Sequence, residues 1–385
     1  MTALVSDQLE QQAIAWRRHL HANPELSFEE HETARFVEET LRSFDALELE
    51  RPTPTSVVAH LRGPRPGRVL ALRADMDALP IQEETDLPFA STRPGTMHAC
   101  GHDAHTAILL AAARALAERR EQLSGEVRFL FQHAEEKPPG GARQLVEAGA
   151  VDGVDLVAGI HLFSQEPVGT ISVPAGPRAA ASDTFALEIR GKGGHAAAPH
   201  RSLDPVVVAA EVVTSLQLIV SRTVDPIESA VVSVTRFHTG TADNIIPEVV
   251  ELGGTVRTYD PEVRASVRES IDRIARGVTD AHGATYRFDY EEGYAALHND
   301  AEAAAVVEAA ARAGLGDDAI RPTPPIMGGE DFSAYLEKAP GAFFIVGAGD
   351  KDWTPHHHPR FTIDEAAIRP GIAVFVRTAL DYLRG

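Results

Sequence analysis

The chain's single thiol stands among imidazoles and a carboxylate in the run Met97-His98-Ala99-Cys100-Gly101-His102-Asp103-Ala104-His105. Thiolate and neutral imidazole both ligate divalent transition metals, and Cys100-Gly101-His102 can turn both donors towards one centre. In isolation the same string also reads as a structural cysteine beside surface histidines. A second group, Glu135-Glu136, follows an apolar run and precedes Lys137-Pro138-Pro139-Gly140-Gly141, where the chain must turn sharply. Adjacent carboxylates repel unless a cation or a proton stands between them. A metal resolves the conflict: one glutamate ligates while its neighbour takes a proton from water, the division of labour of metal-assisted hydrolysis. Gly159-Ile160-His161 and Pro355-His356-His357-His358-Pro359 supply further imidazoles. Each group alone reads as readily as a solvated loop. Together, Cys, His and Glu form a donor set suited to two metals, for which Mn, Zn, Co and Ni all qualify.

Gathering these groups requires strands that end at one edge. Val69–Leu72 and Val127–Phe131 are apolar runs ending in Arg73-Ala74-Asp75-Met76-Asp77 and in Gln132-His133-Ala134-Glu135-Glu136, with a helical pattern from Thr106 to about Arg119 between them. Strand, helix and strand with polar residues at the strand ends predict an α/β sheet whose functional groups lie beyond its carboxyl edge. Upstream, the segment from Ser6 to about Phe44 has helical spacing, broken at His21-Ala22-Asn23-Pro24. From about Ala181 to Tyr294 the order becomes strand (Thr184–Arg190), helix (Leu203–Val220), strands (Ser229–Phe237, Val249–Tyr259), helix (Pro261–Ala281) and strand (Thr285–Tyr290). This βαββαβ order is that of a ferredoxin-like unit. The tail returns to helix, strand and helix, with Ala342–Val346 as a buried strand. The expectation is a discontinuous catalytic domain over 1–180 and 295–385, and an inserted lid or dimerisation domain over 181–294.

Composition narrows the class. A chain of 385 residues favours two domains, and 44% hydrophobic with 24% charged residues is a globular balance. A formal charge of −20 without basic clusters argues against nucleic-acid and anionic-membrane partners. No run approaches the roughly 18 consecutive apolar residues of a membrane span, and the start lacks the basic and apolar regions of a secretory signal. One cysteine excludes an internal disulfide and fits a reducing compartment, so a cytoplasmic location is expected.

The strings MHACGHDAHTA, FQHAEEKPPGGA, GIHL, GKGGHAAAPH, ADNIIP, MGGEDF and HHPRFTIDE occur in the order seen in the M20 metallopeptidase superfamily. The chain resembles its amidohydrolase branch of hippurate hydrolases, auxin-conjugate hydrolases and N-acetyl-amino-acid deacetylases, from about His19 to the end. The resemblance implies an α/β fold: a phosphorylase/hydrolase-like mixed-sheet catalytic domain with an inserted ferredoxin-like α+β lid. It implies two divalent metal ions per subunit bridged by Cys100, with His102, Glu136, His161 and His357 completing the ligands and Glu135 as general base. His357 is chosen from the triple His356-His357-His358 by its place before His and Pro, and Lys137 stands where the family has glycine.

In the inserted segment, His195 resembles the family histidine that stabilises the oxyanion in the partner subunit's site, which implies a homodimer or dimer-based oligomer. Asn244 and Arg257 match positions near the substrate, Arg257 as a carboxylate clamp, although a strand arginine equally suits a structural ion pair. Asp75 and Asp77 are candidates for orienting ligands. The implied activity is hydrolysis of the amide of a small N-acyl-amino acid; a short peptide (by dipeptidase or carboxypeptidase action) and an N-carbamoyl compound are the alternatives. A binding protein without turnover and a cysteine hydrolase using Cys100 are the readings outside this chemistry, and a chelator separates the latter.

Overall fold

The computed structural model describes residues 4–384, which divide into two compact units. The first runs to Arg178, resumes over His298–Pro324 and ends with the segment from Asp331; the second spans Ala179–Leu297 and Pro325–Glu330. The short return packs with the second unit because the Ala180 N–H meets the carbonyls of Ile326 and Gly328 at 3.1 and 3.0 Å, and the Tyr259 hydroxyl donates to Ile326 at 2.8 Å.

In the first unit four parallel strands lie side by side in the order Ser124–Gln132, Arg65–Asp75, Leu156–Pro167 and Gly341–Gly349. Antiparallel strands Val57–Arg62 and Leu47–Glu50 extend one edge and Ile171–Ser172 the other, giving the mixed sheet expected. Parallel strands need both faces covered, and Leu70, Leu72, Val127, Phe129, Ile160 and Phe344 are all buried. Burial of each such side chain stabilises by about 1.5–3 kcal/mol. The helix His102–Ala117 packs against Asp7–Ala22 and Ile368–Tyr382. It starts earlier than its apolar pattern predicts: Gly101, at φ 90°, turns the chain so that His102 opens the first turn, and even the polar His102, Asp103 and His105 are buried. The N-terminal segment forms two helices, Asp7–Ala22 and His31–Arg42, parted after Ala22 at the break expected there.

The second unit has an antiparallel sheet in the order Ala230–His238, Val249–Thr258, Ala181–Arg190 and Thr285–Glu291. Its helices Pro205–Leu218 and Pro261–His282 are N-capped by Asp204 and Asp260, each followed by proline. This is the ferredoxin-like arrangement. The helical stretch Pro205–Thr223 is long and apolar enough on average to cross a membrane, although Glu211, Gln217 and Arg222 interrupt it. In the unit it buries Val208, Ala209, Val212, Leu216 and Ile219 in the core and leaves those polar residues exposed.

Candidate metal centre

Three backbone devices bring the donors together. Gly101 delivers Cys100 and His102 to the mouth of their helix. The strand Ser124–Gln132 ends in a turn where Ala134 is left-handed (φ 49°) and its carbonyl accepts the Gly141 N–H at 3.0 Å, and this turn carries Glu135 and Glu136. His357 is also left-handed (φ 63°), and its N–H donates to the Ala99 carbonyl at 2.9 Å, tying the C-terminal loop to the cysteine loop. His161 is not at a strand end, as its apolar run suggests. The strand continues to Pro167 because Gly341–Gly349 pairs with it beyond His161, leaving the imidazole near the carboxyl edge of the neighbouring strands.

The donor atoms of Cys100, His102 and His161 lie within 4.8 Å of one another, as do those of Cys100, Glu136 and His357 and those of His102, Glu135 and Glu136. Cys100 Sγ is 3.4 Å from His161 Nε2, and Glu136 Oε1 is 3.0 Å from His357 Nε2 and 4.0 Å from His102 Nε2. Cys100 belongs to both of the first two groups, so its thiolate would be available to cations held by either. The electrostatics fit the same occupants. Burial and then the carboxylates of Glu136 and Glu135 push the Cys100 thiol well up. Burial opposes charge on His102, but Asp75, Asp77 and Glu136 outweigh it and push this imidazole up to about 10. Its Nε2 is buried with no hydrogen-bond partner. The cluster is thus rich in negative charge and holds an orphaned ligand atom, a deficit that divalent cations meet.

Residues behind the donors fix their orientation. Asp77 places Oδ1 3.2 Å from His102 Nδ1, while its Oδ2 accepts from Ser27 Oγ at 2.7 Å and from the Glu136 N–H at 3.0 Å. Asp75 accepts from His105 Nδ1 at 2.6 Å and Arg73 at 2.8 Å. His105 Nε2 in turn accepts the Leu162 N–H at 2.8 Å, which fixes its tautomer and anchors the strand beside His161. Arg73 also meets Gln132 and Asp331 at 2.7 and 2.9 Å. Of the three histidines in series, only His357 joins the donor cluster: His356 Nε2 bonds the Leu162 carbonyl at 2.8 Å, and His358 Nδ1 accepts the Arg360 N–H at 3.1 Å.

The remaining predicted residues lie in the second unit. His195 and Asn244 are exposed on the two arms of a short ribbon, where His195 pairs with Ile245 and the Ala196 N–H donates to the Asn244 carbonyl at 3.0 Å. An open pocket of about 490 Å³ borders this ribbon. Arg257 is half-buried and donates to Thr255 Oγ1 and, at 2.9 Å, to the Val256 carbonyl. The carboxylate of Asp183 binds Arg264 instead, at 2.9 Å. Sequence reasoning missed Arg73, His105, Gln132 and Asp331. Of these, His105, Gln132 and Asp331 lie within the strings MHACGHDAHTA, FQHAEEKPPGGA and MGGEDF, and Arg73 follows directly on an apolar run.

Residues 71–381 match Peptidase family M20/M25/M40. N-acyl-L-amino acid amidohydrolase of Geobacillus stearothermophilus is 56% identical over 293 residues, 76% of this chain and 79% of that protein. N-acetylcysteine deacetylase of Bacillus subtilis is 44% identical over 377 residues, 96% of each. The crystal structure of Bacillus subtilis YXEP protein, a dinuclear metal binding peptidase from the M20 family, aligns with a TM-score of 0.86 at 40% identity, covering 98% of this chain and 99% of that one.

Proposed function

Because the chain belongs to Peptidase family M20/M25/M40, we propose that its metal centre hydrolyses the amide bond of N-acyl-amino acids, with Glu135 moving the protons. The chain is a metal-dependent amidohydrolase. The observation that carries the assignment is the position of Glu135, whose carboxylate shares a donor group with His102 and Glu136, beside the groups of Cys100 with His102 and His161 and of Cys100 with Glu136 and His357. The names of the two relatives, an N-acyl-amino-acid amidohydrolase and an N-acetylcysteine deacetylase, support the substrate class.

Cys100, His102, Glu136, His161 and His357 would hold two divalent ions, Mn, Zn, Co or Ni. Bound there, these ions supply Lewis-acid polarisation and lower the pKa of water towards about 7. Glu135, 6% exposed, takes the proton of the attacking water and returns it to the leaving amine. His195 and Asn244 are exposed, as groups that meet a substrate must be, and we assign His195 to the oxyanion of a partner copy's substrate. Arg257 is assigned to the substrate carboxylate. The exposed Val207, Leu218, Ile227 and Phe237 of the second unit support a dimer. The single cysteine, buried, supports a reducing, cytoplasmic setting.

The test is release of free amino acid from N-acetyl- and N-benzoyl-amino acids by metal-loaded protein, with and without chelator, for wild type and Glu135→Gln. Metal-dependent turnover that the substitution abolishes, with metal content retained, is expected. Turnover insensitive to chelator overturns the metal reading, and near-normal turnover by the variant overturns the base assignment.

A further inference from the structure

Glu30 is a fully buried carboxyl with no part in the chemistry above. It occupies the N-cap position of helix His31–Arg42 but makes no side-chain cap bond; the helix's Thr33 N–H is taken by Glu25 at 2.8 Å. Its Oε1 instead accepts the Ala134 N–H at 2.7 Å, across 104 residues of chain, while Oε2 has no partner. Ala134 immediately precedes Glu135 and is one of four non-glycine residues with positive φ among those described. Another of the four, Phe28 (φ 70°), lies two residues before Glu30 and sets its ring edge-on to His133 at 5.7 Å. From the same segment Ser27 bonds Asp77, which accepts the Glu136 N–H. Residues 27–30 therefore grip both ends of the short span that carries the two glutamates. Side chains rarely adopt a left-handed backbone without compensation, and such strain gathers where geometry matters to function.

We propose that Glu30 is the positioning residue for the catalytic base: by accepting the Ala134 N–H it holds the left-handed turn that aims Glu135. The inference rests on the reading of Glu135 as base. Burial, then the charge of Asp77, push Glu30 up to about 8, which matches a carboxyl serving as a neutral acceptor. Glu30→Gln keeps an acceptor oxygen of the same reach. Glu30→Asp keeps the carboxyl but is one methylene short, and Glu30→Ala removes the acceptor.

The experiment measures kcat and KM for an N-acetyl-amino acid in these three variants and in Glu135→Gln, expressed per metal-loaded site from elemental analysis. Glu30→Gln should stay within about 3-fold of wild type, whereas Glu30→Ala and Glu30→Asp should lose about 10- to 100-fold in kcat at nearly constant KM and metal content, since misplacement by about 1 Å costs on the order of 10². A merely structural role changes the yield of folded protein and leaves kcat per loaded site intact. Wild-type kcat in the Asp and Ala variants, or an equal loss in all three, overturns the proposal. If the Ala variant does not fold, the Asp variant carries the result. An active Glu135→Gln removes the base assignment and this inference with it; an inactive Glu135→Gln beside fully active Glu30→Ala and Glu30→Asp removes the inference alone.

Discussion

Asp77→Asn isolates what the carboxylate behind His102 contributes to metal affinity. The carboxylate is 1% exposed and has three donors around it: the His102 imidazole at 3.2 Å, Ser27 Oγ at 2.7 Å and the Glu136 N–H at 3.0 Å. Burial works against its charge, yet His102, Ser27 and Glu136 hold its pKa below the usual carboxylate range. The substitution changes no volume, so no cavity term enters. It leaves one oxygen for donors that two oxygens served, so one donor must face the new NH₂. A hydrogen bond to a charged group contributes about 1.5–3 kcal/mol. At about 1.4 kcal/mol per tenfold, metal binding should weaken by roughly 10- to 100-fold, the range typical of groups that orient a ligand. The assay is competition between metal-free protein and a chromophoric chelator of known affinity, with thermal unfolding of the metal-free variant as the control for folding. An unchanged metal affinity in a folded Asp77→Asn variant would refute the view that Asp77 presents His102 to the metal.

Gly159→Ala should destabilise the first unit by about 1–3 kcal/mol, because its Cβ would sit 2.6 Å from the Phe332 ring and 2.9 Å from Phe343; a melting temperature equal to wild type would contradict this packing. Cys100→Ser should lower the metal content measured by elemental analysis, since Cys100 belongs to two of the donor groups and a serine hydroxyl is a poor ligand; full metal retention would show that the thiol is not needed to hold metal. Glu30 also gives a pH signature. Its folded pKa is raised from 4.5 to about 8, so its stabilising contribution is complete below about pH 4.5 and is lost as pH rises through 8. In metal-free protein, Glu30→Gln should therefore gain stability relative to wild type between pH 5 and pH 9. Unfolding curves that keep a constant offset across that range would refute the raised pKa.

What the sequence reveals and what it hides follow from the reach of each interaction. Strands such as Val127–Phe131 are legible because an apolar run bounded by polar residues is a local pattern, and the donors are legible because their types are rare and their spacing short. The apolar pattern of His102–Ala117 starts late because His102, Asp103 and His105 look like loop residues, although the fold buries all three against Asp77, Arg17 and Asp75 respectively. The choice among His356, His357 and His358 is likewise a matter of backbone: alternation of one left-handed residue with its neighbours sends one imidazole to Glu136 and another to the Leu162 carbonyl. Arg73 meets Asp331 across 258 residues and Glu30 meets Ala134 across 104, distances over which no periodicity carries information. A buried charge or carboxyl at such a position costs several kcal/mol unless the fold supplies its partner. Arg73, at the polar end of the Val69–Leu72 run, is such a case: the strand pattern is legible in the sequence, while its burial against a partner 258 residues away belongs to the fold.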